Sequence, residues 1–320
     1  MVKRIVMKII YEIDKVYKIY YFKKEKNKWV TKKQETLHTI DKFLNDNRNI
    51  FLLKENKFRY YCFTYFNHFR NKVDITKLNS IVNKKINEVR NIFSEKRRLL
   101  YVTLDNIIVN WEKKKFILWE SGDIFFDLRF FYIEEDVYDF FYVHHKDLLN
   151  KSCIWPKSFF TIKFLNENLQ KREFYLLYFF DETILKIEIK NWFYYSVKEI
   201  NFWFEYLKSI LKERWLDKLY YYLKLWRDIS NQYSRRLLKE VLEMYIKYLF
   251  NWFVDDIDFN VKDVIIIGSN KIRSEVFINS ICQIFKWFNI IPFNYSRSFE
   301  DKVVGKILPI DVQAFLFFKW

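Results

Sequence analysis

The chain has 320 residues, 51% hydrophobic and 30% charged, with a net charge of +16 at neutral pH. That length sets two domains or one large one, and the apolar content speaks against wholesale disorder. Cys62, Cys153 and Cys282 are scattered and odd in number, so neither a disulfide framework nor a zinc site is expected, and no apolar run approaches the roughly 18 residues of a spanning helix.

The opening MVKRIVMKIIYEID alternates and carries acids at once, which reads as a strand and not as a signal peptide. VMKII and VYKIYYF, either side of EIDK, form the simplest hairpin. Leu37, Ile40, Phe43 and Leu44 have helical spacing within residues 32–47, and NIFLLKENKFRYYCFTYF returns to strand character. Asp74 is placed to cap a helix whose stripe is Leu78, Ile81, Val82, Ile86, Val89 and Phe93. Residues 99–142 read as strands (LLYVTL, NIIVNW, KFILW, DIFFDLRFFYI). The pattern breaks over residues 146–157, which sets a boundary between lobes at 1–155 and 156–320. FFTIKFL and FYLLYFF then open a second strand set, completed by ETILKIEIKN and WFYYSVKEI. One long helix is expected from Phe202 and another from Tyr233 to Phe253. The strand DVIIIG, a helix over residues 274–288 and the short strand NIIPF follow. Strands closing into helices in each half imply a two-lobed α/β protein.

Composition leaves two readings of the charge open. Nucleic acid or anionic lipid is one class of partner for such a chain. The other reading is base composition: 35 Phe and 23 Tyr beside abundant Lys, Ile and Asn are what an AT-rich genome overproduces. Glycine is scarce, with 3 residues against 11 tryptophans. Three tryptophans follow asparagine, at Asn110-Trp111, Asn191-Trp192 and Asn251-Trp252. Asn-Gly is a strong hairpin signal and Asn-Trp is not. Trp287 falls at a helix end, where glycine is common. A recoded stop codon, written as tryptophan here and decoded as glycine in the cell, would account for all of these. Glycine would then rise to 14, the sum of 3 and 11.

The order of elements resembles that of the actin-like ATPase superfamily, and within it the group of the cell division protein FtsA and the type IV pilus assembly protein PilM. The stretches that carry the resemblance are YEIDKVYKI, then INEVRNIFSEKRRLLYVTLDNIIVN, then YLLYFFDETILKIEIKNWFYYSVKEINFWFEYLKSIL, and last DVIIIGSNKIRSEVFINSICQIF. The resemblance implies an actin-like (ribonuclease-H-like) fold with mixed sheets flanked by helices, its first lobe carrying an inserted small subdomain. It places Glu12, Asp14 and Lys18 in a first phosphate loop, Asp181 in a second, and Gly268 and Ser269 against adenosine. It also places Trp203 where the family has glycine at a helix start. The motifs are degenerate. Tyr178 and Phe180 stand where the family carries Asp and Gly, and Asp14 would oppose a phosphate. ATP and Mg²⁺ are therefore expected to bind weakly or not at all, as in a pseudo-ATPase.

No Gly-x-Ser-x-Gly elbow and no Gly-x₄-Gly-Lys-Ser loop occurs. His144-His145 lacks a third ligand at metal spacing, so no catalytic or metal site is assigned. The helix through LYYYLKLW cannot bury Tyr220, Tyr221, Tyr222 and Trp226 on one face. Tyr220, Tyr221 and Trp226 are thus the candidate partner surface. The function expected is a cytoplasmic adaptor, peripheral to the inner membrane, that binds protein partners there or self-associates in a pilus, secretion or division assembly. The alternative is a basic ribosomal protein of a mitochondrion or reduced AT-rich genome, binding rRNA through lysine and arginine. Its 40 acidic residues and lack of a basic tail argue against that.

Overall fold

The computed structural model describes residues 6–13, 16–25, 28–38, 49–90, 96–149, 153–169, 171, 173–179, 183–191, 193–200, 209, 211–213, 232–268, 275–293, 303–304 and 308–318. The chain forms two compact units, one of residues 1–23 with 32–157, the other of residues 24–31 with 158–320.

In the first unit, β1 (Val6–Ile13) and β2 (Val16–Glu25) form the expected antiparallel hairpin, with Ile13 opposite Val16. β3 (Lys28–Leu37) lies beyond β2, and Tyr21 of β2 donates its hydroxyl proton to Glu35 of β3. This corrects the helix expected over residues 32–47 as far as Leu37, because KWVTKKQETL alternates between the two sides of a strand; residues 39–48 lie outside the described residues. β4 (Asn49–Leu53) runs parallel to β1, and β9 (Ile154–Pro156) parallel to β4.

A separate antiparallel sheet follows in the same unit, in the order β5 (Phe58–Phe69), β8 (Gly122–Glu134), β6 (Arg97–Val109), β7 (Glu112–Lys113). Helix α1 (Ile75–Arg90) packs its Leu78–Val89 stripe on the face that bears Ile124, Phe126, Leu128 and Phe130. Its cap is the one expected: Asp74 Oδ1 accepts from the Lys77 amide at 2.7 Å. The strand expected at KFILW is not formed, since those residues make a turn. Nor do strands run to residue 142. Helix α2 (Glu135–Leu149) begins where Glu135 and Asp136 meet its positive N-terminal end.

The second unit repeats the strand order of the first. β10 (Phe174–Phe179), β11 (Ile184–Lys190) and β12 (Phe193–Ile200) form an antiparallel meander, while β13 (Asp263–Gly268) pairs parallel to β10 and β14 (Asn289–Pro292) parallel to β13. The orders β3-β2-β1-β4-β9 and β12-β11-β10-β13-β14 correspond strand for strand. A parallel pairing needs both faces covered, and β10 is buried at all six positions. Tyr175, Leu177 and Phe179 pack against α4 (Gln232–Val254) and α5 (Glu275–Ile284). The opposite face meets α3 (Phe159–Leu169) and α6 (Ile310–Phe318). The first residues of β3, Trp29 and Val30, pair with β15 (Val303–Val304), and both segments belong to this second unit.

FFTIKFL was expected as a strand and is the first half of α3. A short apolar run buried nearly all round has no period that separates helix from strand. The fold class expected from the sequence is the one formed: α/β, with mixed sheets flanked by helices.

The α3–β10–α6 layer is tied by one buried carboxylate. Asp311, 0% exposed, accepts from Thr161 Oγ1 at 2.6 Å and from the Tyr178 hydroxyl at 2.9 Å. It lies in the first turn of α6, where the helix dipole favours negative charge. Replacing Asp311 with Ala strands two buried hydroxyls, and we expect a loss of about 3 kcal/mol in urea unfolding, with Thr161→Val costing less, about 1–2 kcal/mol.

Candidate functional site

Ligands of parallel α/β sheets gather at the carboxyl ends of the strands. In the first unit those ends are Glu12 on β1, Lys54 after β4 and Lys157 after β9. Glu12 is buried, and both of its oxygens are engaged. One accepts the Lys54 amide at 2.8 Å and the other the Lys57 ammonium, also at 2.8 Å. Lys157 is buried too, with its ammonium 5.4 Å from the centre of the Tyr11 ring.

The site residues expected from the sequence divide sharply. Lys18 stands opposite Tyr11 across the hairpin. Directly opposed residues share a face and successive residues alternate, so Glu12 and Lys18 project to opposite sides of the sheet and are not brought together. Gly268 ends β13, opposite Phe179 of β10. Asp14, Asp181, Ser269, Tyr220, Tyr221 and Trp226 lie outside the described residues. Tyr178 was expected to fill phosphate space. Its ring instead enters the core layer and its hydroxyl is spent on Asp311, so bulk at this position does not block the strand end; Phe180 lies outside the described residues.

Lys54, Lys57 and Lys157 were missed in the sequence. The signal was faint: LLKENK reads as the end of an apolar run, and only the parallel register of β1 and β4 brings the Lys54 amide and Lys57 to Glu12. Among the described residues, no group of three His, Cys, Asp or Glu could hold a metal. His144 and His145 lie on helix α2.

Some of the positive charge is paired among the described residues. Lys85 pairs with Glu88, Arg98 with Glu135, Lys171 with Asp263, Lys190 with Glu188 and Asp258, and Lys198 with Asp256. Lys186 is the exception in kind. It is buried on β11 and donates to the carbonyls of Phe253 at 2.8 Å and Asp255 at 2.6 Å, at the negative end of α4. Burial, with help from the Lys198 charge, pushes its pKa down from 10.5 to about 8, against the pull of Asp256, Asp255 and Glu188. A folded-state pKa below the unfolded one means that the unfolded chain holds more protons between these values. Stability contributed at this position therefore rises as pH increases from about 8 to 10.5. Lys186→Met should flatten that rise in denaturant midpoints measured across the same window.

No family model and no curated protein matches the chain. Solved structures do. The PilM–PilN type IV pilus biogenesis complex aligns over 98% of this chain and 95% of its own, at 10% identity and a TM-score of 0.47. A Bacteroides thetaiotaomicron protein with an actin-like ATPase fold and unknown function aligns over 98% and 95%, at 8% identity and a TM-score of 0.43. Apo pSK41 ParM aligns over 99% and 97%, at 9% identity and a TM-score of 0.39. What the chain is similar to, along nearly its whole length, is a set of proteins of which one is described by its actin-like ATPase fold and another by its part in a pilus biogenesis complex.

Proposed function

We propose that this chain is an actin-like adaptor, related to the FtsA and PilM group, that works by binding protein partners at the inner face of a membrane and binds ATP-Mg²⁺ weakly or not at all. The observation that carries this reading is the state of Glu12. A carboxylate at the end of the first strand is where the resemblance puts an acidic group for the nucleotide's Mg²⁺. Magnesium demands oxygen ligands in near-octahedral array. Here both oxygens are already spent on Lys57 and on the Lys54 amide, and freeing them would leave a buried charge unpaired. The duplicated strand order supports the two-lobed reading. Among the described residues no helix is long and apolar enough to cross a membrane, which is compatible with peripheral attachment through a partner.

Two measurements test the proposal. Calorimetric titration with ATP-Mg²⁺ is expected to give no binding or a dissociation constant well above micromolar; a sub-micromolar constant overturns the non-nucleotide reading. For the partner surface, Tyr221→Ser with Trp226→Ser is expected to leave the melting temperature nearly unchanged and to abolish recruitment to membranes that hold the partner. Unfolding of the double variant, which would mark these rings as core, or undiminished recruitment, removes that surface from consideration.

A further inference from the structure

Three turns of this chain contain a tryptophan, and in the two whose tryptophan is described its backbone stands at a position built for glycine. In the first, Val109 pairs with Glu112, so Asn110 and Trp111 are the whole loop of a two-residue hairpin between β6 and β7. Their φ values are +48° and +70°. Two consecutive positive φ angles in a two-residue hairpin are the mark of the type I′ turn, whose preferred pair is Asn-Gly. In the second, Lys190 pairs with Phe193, so Asn191 and the residue after it are the whole connection between β11 and β12. Asn191 has φ +50°; Trp192 lies outside the described residues. The third is of another kind. The Glu120 amide donates to the Ile117 carbonyl at 3.3 Å, closing a four-residue turn in which Trp119 is third, with φ +70°. A type II turn requires positive φ at that position, and glycine or asparagine supplies it.

The remaining residues with positive φ make the contrast. Among the described residues other than glycine they are Asn106, Asn110, Asn191 and Asp256, the residue types that tolerate the left-handed region, and then Trp111 and Trp119. Nor do these two indoles repay the strain by packing. Trp111 is 79% exposed and Trp119 is 70% exposed. Other tryptophans behave differently. Trp29 is buried, Trp155 packs at a tilt on Tyr101 with ring centroids 4.6 Å apart, and Trp252 packs on the core inside α4 with Lys186 5.5 Å from its ring. Neither Trp252 nor Trp287 has a positive φ. The expectation that every tryptophan marks a lost glycine is thereby narrowed to particular turns.

We propose that positions 111, 119 and 192 are glycine in the protein the cell makes, their codon being a reassigned stop codon that is decoded as glycine there. The inference rests on turn geometry alone and stands or falls apart from the adaptor reading. It has a functional consequence. Trp111 sits beside Phe125, which stacks on Phe66 at 4.2 Å between centroids. As written, these three rings resemble an aromatic binding patch; with glycine at 111 the patch loses its most exposed member.

Peptide mass spectrometry on the protein isolated from its own cells decides the matter. Peptides covering 111, 119 and 192 are expected to be lighter than the written sequence by one indole side chain at each position. Intact tryptophan at 111 and 119 overturns the proposal. A second arm tests the physical cause in protein made with the sequence as written. Trp111→Gly with Trp119→Gly should raise the melting temperature by a few degrees, whereas Trp155→Gly should lower it. A fall in melting temperature on relieving positions 111 and 119 would show that the turns do not call for glycine, and would overturn the structural argument.

Discussion

Everything in this fold answers to two parallel strand pairings, β1 with β4 and β10 with β13. A strand paired in parallel cannot return by a tight turn, so each pairing forces a long crossover. It also leaves two sheet faces that water must not reach. The sequence meets that demand with runs such as FYLLYF and DVIIIG, apolar at almost every position, and with helices on both sides of the second sheet. The same pairing gathers the carboxyl ends of β1, β4 and β9, and so brings Glu12 to the Lys54 amide and to Lys57.

Legibility in the sequence followed the range of the interaction. The β1–β2 hairpin, the Asp74 cap, the helix expected from Tyr233 to Phe253 and the DVIIIG strand each declare themselves within a few residues, and each formed. Elements defined by burial alone did not declare themselves. FFTIKFL is helical because α6 covers it, and IDVQAFLFF gave no amphipathic signal because its burial is almost uniform. β3 was misread for the opposite reason. Its side chains are mostly polar, and Leu37 lent it a helical spacing that belongs to no helix.

The candidate site was less legible than the fold. Glu12 was identified as a notable acid, but its meaning depends on lysines 42 and 45 residues further on. Tyr178 looked like an obstruction when set against a family motif. Its partner Asp311 lies 133 residues away, so no local reading could show that the ring turns inward. A residue type at a motif position states what could be there; only the register of neighbouring strands states which way it points and what has already claimed it.

The handover of β3 between the two units sets a limit on how the polypeptide can be made and cut. On one side β3 has β2 as its neighbour, and on the other Trp29 and Val30 pair with Val303 and Val304, a separation of 274 residues (303 minus 29). During synthesis that outer edge has no β15 to pair with until Val303 and Val304 have been made, and closing so long a loop is slow. A fragment starting at Ser158 would lack the strand that β15 completes, and a fragment ending at Lys157 would carry that strand with its β15 edge unpaired. The boundary that divides the sequence most naturally is therefore a poor place to divide the gene.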